Sequence, residues 1–138
     1  MRAAAVAGAI TEDAAEKAER GSAVVDFVMV GALLTVFFLA IIQLALILHV
    51  RNTLIDAAAS GARYGTLADR DAGDARERTT QLIGVALSPE FARDVSTGEA
   101  SYAGIRTLEV TVRAPLPVIG LIGPSELLEV KGHAAFQP

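Results

Sequence analysis

Residues 27–48 read FVMVGALLTVFFLAIIQLALIL, and none of them is charged. Only Gly31, Thr35 and Gln43 interrupt the apolar run. As a helix it would be about 33 Å long at roughly 1.5 Å per residue, enough to cross a hydrocarbon core of about 30 Å. The run therefore reads as a membrane-inserted helix, and the rest of the fold must be arranged around it. Charge does not orient it. Arg2, Lys17 and Arg20 precede the run and Arg51, Arg63 and Arg70 follow it, so the positive-inside count is a tie.

The chain has 138 residues, which leaves room for one small domain beside the span. Composition is 52% hydrophobic, but much of that sits in the one block. A net charge of −4 argues against a nucleic-acid partner, which would demand a basic face. The chain has no cysteine, so a disulfide framework, a thiol nucleophile and a thiolate metal site are all excluded.

Residues 1–21 form a short polar leader, with a helix start expected near Thr11 as cap. It is a poor secretory signal, because acidic residues stand where a positive region belongs. Beyond the run, the helical pattern continues from His49 to Leu67 and turns amphipathic. Within this extension (51–67), Ala57, Gly61 and Gly65 recur every four residues, a stripe that lets another backbone come close. The stripe suits a contact between subunits or packing on the chain's own domain, and both readings stay open. A helix unbroken from Ser22 to Gly65 would be about 66 Å long, so half of it must stand outside the bilayer.

Thr66 to Asp74 reads as a connection and Ala75 to Leu87 as a second helix. Ser88 as cap and Pro89 at the first helical position open a short turn. From Gly98 the period changes to two. Leu108, Val110 and Val112 mark one strand, and Leu128, Val130, Ala134 and Phe136 another; Ser101 to Ala103 adds a short third. Between the two main strands, residues 114–124 are rich in proline, glycine and large aliphatics, a loop tucked under the domain or resting on a membrane or partner. A hairpin needs a surface to pack on. The expected fold is α+β and membrane-anchored: a long N-terminal helix, a second helix, and a small antiparallel sheet docked on the outer half of the first.

Asp26 is the odd residue, an acid at the edge of the run. Full insertion would cost about 2.5–3.5 kcal/mol. The simplest reading puts it among headgroups, near a helix N-terminus whose dipole favours an anion. Arg20-Gly21 stands just before it and Phe27 just after. With the long apolar helix and the segment His49-Val50-Arg51-Asn52-Thr53-Leu54-Ile55-Asp56-Ala57-Ala58-Ala59-Ser60-Gly61-Ala62-Arg63-Tyr64-Gly65, these residues resemble the TadE-like minor pilins (pseudopilins) of tight-adherence (Tad/Flp) type IV pili. Asp26 stands where that family usually has a glutamate, one methylene longer.

The resemblance implies a precursor cut between Gly21 and Ser22 by a prepilin peptidase on the cytoplasmic face. It divides the chain into a cleaved leader (1–21), a transmembrane and filament-core helix (22–50) and an exported small domain (51–138). Cleavage would expose a cationic amine at Ser22, and the Asp26 carboxylate of a neighbouring subunit could neutralise it, with Phe27 beside the pair. It implies an N-terminus in the cytoplasm, residence in the inner membrane and then in the pilus at the cell surface. The implied partners are a major Flp-type pilin, other minor pilins and inner-membrane platform proteins, and the implied roles are in pilus assembly, initiation and adhesion. A protein of about seventy residues beyond the helix suits a minor pilin better than a major one.

Other constellations are weak. His49 and His133 are separate, and neither has a recognisable acid or metal partner in the sequence. Asp69 to Asp74 faintly resembles a calcium loop but lacks the distal glutamate. No catalytic triad, phosphate loop or dinucleotide fingerprint is present. The expectation is a non-enzyme without metal or cofactor. The competing reading is an unprocessed signal-anchored protein whose small exported domain binds an envelope partner. Cleavage by ordinary signal peptidase near Ala57-Ala58-Ala59 would fall too far beyond the apolar run.

Overall fold

The computed structural model describes residues 2–117 and 127–137, with the side chain of Leu127 left aside. The chain order is α1 (Arg2–Gly65), α2 (Ala72–Ala86), a 3-10 turn (Pro89–Ala92), β1 (Asp94–Tyr102), β2 (Ile105–Pro115) and β3 (Leu127–Ala135). It is the α+β arrangement expected, with a long apolar N-terminal helix, a second helix and three antiparallel strands in the order β1-β2-β3.

The chain divides into two compact units, residues 1–42 and 43–138. The first is helix alone. Its apolar side chains are open: Phe27 is 80% exposed, and Leu33, Val36, Phe37 and Phe38 are exposed with it. By length and composition α1 can cross a membrane, and none of its most apolar window is buried within the chain. Helix formation here follows from residue choice: alanine is the commonest residue of α1, and no proline occurs before Pro89. The leader is not a separate helix starting at Thr11. Helix begins by Arg2, and the Thr11 hydroxyl donates to the Ala7 carbonyl one turn back instead of capping. That bond satisfies the hydroxyl inside a helix, so a threonine alone does not mark a start.

The second unit has a dry core. Val50, Leu54, Ala57, Ala58 and Ala62 of α1 meet Ala75 and Ile83 of α2, Val95 of β1, Leu108, Val110, Val112 and Ala114 of β2, and Val130 of β3. Leu54, Ile83, Val110 and Val112 are fully buried. Each such side chain contributes roughly 1.5–3 kcal/mol by leaving water. The unit starts at Gln43, inside the segment assigned from sequence to the span. Leu46 packs on the core, and the Gln43 amide donates to the carbonyl of Pro117.

Strand register explains the alternation. Val95, Val112 and Val130 are level across the sheet and face the helices. Glu109 and His133, Thr111 and Lys131, and Arg113 and Glu129 form the outer ladder. β1 starts at Asp94, four residues earlier than the period in the sequence announces, because Val95 is its only buried apolar side chain. Ala103 is not a strand residue. It and Gly104, both at positive φ (50° and 78°), make the two-residue turn between β1 and β2. Such a turn matches the right-handed twist of a hairpin, and alanine there carries the strain that glycine avoids. β2 runs on through Ala114 and Pro115, which were read as loop. Of the apolar segment 114–124, residues 118–124 lie outside the described residues.

α2 starts three residues before Ala75. Asp71 caps it in a reciprocal box: its Oδ1 accepts from the Asp74 amide at 2.9 Å, and Asp74 Oδ2 accepts from the Asp71 amide at 3.1 Å. Those two carboxylates had suggested a calcium loop; here they serve the helix N-terminus, where negative charge is favoured. Ser88 occupies the cap position of the 3-10 turn without a side-chain bond, while its carbonyl accepts from the Phe91 amide at 3.0 Å.

Candidate processing and assembly site

Gly21, Ser22, Asp26 and Phe27 all lie on the exposed helical part of the first unit. A methyl group built on Gly21 would meet nothing within 4 Å. Glycine in a helix interior costs about 1 kcal/mol against alanine. Among the described residues no contact requires that cost at Gly21. Gly8 and Gly31 are equally open, so Gly21 is distinguished by its neighbours. Arg20 immediately before it is held by Glu16 at 2.8 Å, and Lys17 by Asp13 at 3.3 Å, both pairs one helical turn apart and exposed. Asp26 follows Ser22 by four positions, about 6 Å along the axis. The Ser22 nitrogen is a neutral backbone amide, so it makes no ion pair with Asp26.

The small-residue stripe is in the second unit. At Gly61 an added methyl would sit 1.8 Å from Thr79 Oγ1 and 2.8 Å from the Ala75 carbonyl oxygen. At Gly65 it would sit 2.5 Å from the Ala75 Cβ and 2.6 Å from Leu108 Cδ2. Ala57 is buried in the same core. The three residues thus face α2 and the sheet of their own chain. Thr79 is fully buried there, and its hydroxyl donates to the Ala75 carbonyl at 2.8 Å, so it can lie against a glycine without a lost hydrogen bond.

Sequence reading passed over Gly132. On β3 it lies on the inner face, and a methyl group there would fall 2.3 Å from the backbone of Ala58 and Ala59. Here the backbones of α1 and the sheet approach closely. A glycine inside the apolar face of a strand was the available signal, since such positions mark close backbone approach. Tyr64, at the end of α1, lies under two guanidinium groups, with Arg70 at 4.8 Å and Arg78 at 5.8 Å from its ring centre. These contacts fasten the end of α1 to the connection after it and to α2.

His133 does have an acidic partner, and only strand pairing could reveal it. Its Nε2 donates to Glu109 Oε2 at 2.8 Å, and Lys131 Nζ donates to Glu109 Oε1 at 3.1 Å. Tyr102 meets the His133 ring edge-on at 4.9 Å. The hydrogen bond from His133, and then that from Lys131, hold the Glu109 carboxyl below the usual carboxylate range against an opposing effect of burial. Glu109 in turn raises Lys131, and Glu129 raises Arg113. The cluster is an exposed cross-strand network. His49, by contrast, is exposed on α1. Among the described residues no three potential ligands gather where a metal ion could be held.

Residues 21–63 match the family model described as TadE-like protein. That segment is TadE-like. The match opens on Gly21 and takes in Asp26, the apolar run and the part of α1 that carries Ala57 and Gly61; α2 and the sheet lie outside it. No curated protein and no solved structure matches the chain.

Proposed function

We propose that the chain is a minor pilin of a Tad/Flp-type pilus, made as a precursor, cut after Gly21 by a prepilin peptidase, and active in pilus assembly and initiation, with adhesion as its outward role. The observation that carries this reading is a coincidence of position. The TadE-like segment begins at Gly21, and Gly21 is an open helical glycine with no packing duty among the described residues. A residue kept small for no internal reason is suited to a cleft in something else. Cleavage would create the Ser22 amine, and Asp26 of a neighbouring subunit would pair with it among parallel apolar helices, where two isolated charges would each be penalised. In this reading the N-terminus lies in the cytoplasm and the domain 43–138 is outside. The major pilin, other minor pilins and the inner-membrane platform are its partners.

The test is N-terminal sequencing of the full chain co-expressed with a Tad-type prepilin peptidase. Ser22 should become the first residue, and Gly21→Leu should remain uncut. A wild-type chain that keeps its leader would overturn the proposal. The rival reading, an unprocessed anchor displaying a partner-binding domain, draws on the helix itself. α1 is unbroken across the Gly21–Ser22 bond, and a peptidase must unwind it to reach the carbonyl. An uncut leader would favour that alternative.

A further inference from the structure

We propose that β1 of one copy of the chain adds to the free edge of β3 of a second copy, with Glu99 of the first reaching Arg63 of the second. The inference needs only the domain 43–138 as described, and stands or falls apart from cleavage after Gly21.

Both outer strands of the sheet have one side without hydrogen-bond partners. The Phe136 amide donates to the Arg106 carbonyl, so Ala134 and Gly132, in step with Phe136, are the residues of β3 that bond to β2. His133 and Ala135 therefore turn their amides and carbonyls away from the sheet. In β1 the two-residue turn makes Tyr102 the bonded partner of Ile105, and Ala100 and Gly98 follow in step. Thr97, Glu99 and Ser101 therefore turn theirs outward. Among the described residues none of these outward groups has a backbone partner. Residues 118–126 are too short to cover either stretch. Tethered at Pro117 and Leu127, they reach at most about 18 Å from either. His133 is about 20 Å along β3 from Leu127, and Thr97 is about 23 Å from Pro117.

Sheets commonly blunt an open edge with proline, lysine or a bulge. β1 has none of these. Its nine residues, Asp94–Tyr102, run in unbroken register along β2, and its only charges are Asp94 and Glu99. A strand that is long, regular and acidic is suited to an edge of the opposite sign.

The edge of β3 offers one. Helix α1 leans across the sheet as it runs: Ala58 and Ala59 lie against Gly132 of β3, but Gly65 lies against Leu108 of β2. Ala134, level with Leu108, is left half-buried beside the helix end. A cleft of about 810 Å³ opens there, between Arg63, Leu67 and Ala68 on one side and His133, Ala134 and Ala135 on the other. Arg63 donates from Nε to the Ala59 carbonyl at 3.3 Å, and among the described residues it has no carboxylate partner. Lys131 and His133 are already held by Glu109, and exposed Asp69 is not part of the lining.

Direction, bonding phase and face all agree. β1 and β3 both run antiparallel to β2, so they are parallel to each other, and β1 of a second copy extends the sheet without turning either copy over. With its Ala100 beside Ala135, the Glu99 carbonyl and the Ser101 amide meet the outward groups of Ala135. The Glu99 side chain then falls on the inner face, level with Ala134, at the mouth of the cleft that holds Arg63. In its own chain Glu99 binds Arg106 at 2.9 Å on an exposed rim, and a carboxylate has lone pairs for a second guanidinium. Pairing β1 with β1 would set acid against acid. Because the two edges differ, the contact is heterologous and leaves an edge free at each end for another copy.

The chain lacks cysteine, so single-cysteine variants report proximity cleanly. Residues directly opposite in a sheet stand about 4.8 Å apart, within disulfide range. Full-length Ala100→Cys and Ala135→Cys, carrying different tags, are mixed in detergent and oxidised. Tyr102→Cys with Gln137→Cys is a second pair in the same register and stands in where one variant does not fold. Val85→Cys with Ala135→Cys is the reference, because Val85 is exposed on α2. The edge pairs should cross-link several-fold more than the reference, and Arg63→Glu in the Ala135→Cys chain should lower that yield several-fold. Edge pairs no better than the reference overturn the proposal. So does Ala100→Cys cross-linking to itself in preference to Ala135→Cys, or a yield that Arg63→Glu leaves unchanged.

Discussion

The two parts of α1 belong to one uninterrupted helix and obey opposite rules. The large apolar side chains of residues 24–42 are exposed, whereas Ala57, Ala58, Gly61, Ala62 and Gly65 are small and buried. Phe27, Leu33, Val36, Phe37 and Phe38 present bulk to whatever surrounds them, lipid or another helix. Ala57, Ala58, Gly61, Ala62 and Gly65 withdraw bulk so that α2 and β3 can approach. Hydrophobicity alone does not tell burial from exposure. A run of small residues marks close approach, because a near backbone neighbour leaves no room for a branched residue.

The sharpest break of that comparison is between two glycines. Gly132→Val would press a side chain into the backbone of Ala58 and Ala59, which cannot move aside without dismantling the helix. The loss should exceed about 3 kcal/mol, a large part of a small domain's stability. Protease resistance of residues 43–138 in the detergent-solubilised chain should collapse. Gly31→Val, open on the first unit, should leave it unchanged. Equal behaviour of the two variants would mean that the approach at Gly132 is not tight.

Next in size is a matched pair of truncations. Leu54→Ala empties a fully buried site and should cost about 2–5 kcal/mol, read as a lower denaturation midpoint of the domain. Phe37→Ala removes a larger side chain from an exposed position and should leave that midpoint where it is. A shift for Phe37→Ala would show that the domain depends on the first unit.

The smallest effect belongs to the outer face of the sheet. The Glu109 carboxyl titrates below its ordinary range in the folded chain, so its contribution is present above the ordinary glutamate range. It is lost as pH falls through the lowered value, when the carboxyl protonates and His133 and Lys131 lose their acceptor charge. Domain stability should therefore drop slightly on the acid side, and Glu109→Gln should flatten that limb. High salt should weaken the network, as for any exposed ion pair. An acid limb unaltered by Glu109→Gln would assign the drop to other carboxylates.

Much of the fold was legible because local rules suffice for it. A 22-residue uncharged run fixes a helix, and Leu108, Val110 and Val112 alternate as a half-buried strand must. β1 was harder to read, since an edge strand with one buried valine carries little period. The capping box at Asp71 and Asp74 was written in the sequence but masked by a resemblance to an acidic loop. The hydrogen bond from His133 to Glu109 was not legible at all, because its partner lies 24 residues away and is set by register. For the candidate processing site the sequence was nearly the whole source. Gly21, Ser22 and Asp26 sit on an exposed helix, and tertiary packing adds only that none of the described residues needs Gly21 to be small.

Sequence by itself determined the apolar helix, its acid at residue 26, the glycine before it and the alternating strands. Each depends on neighbours within a few residues, through helical rise, strand period and side-chain polarity. Only the tertiary structure decided that the domain begins at Gln43, that Gly61 and Gly65 receive α2 and the sheet, and that Gly132 receives α1. The reason is steric and non-local. Whether a small residue is a gap or a contact depends on what the fold brings against it, and that partner can lie anywhere along the chain.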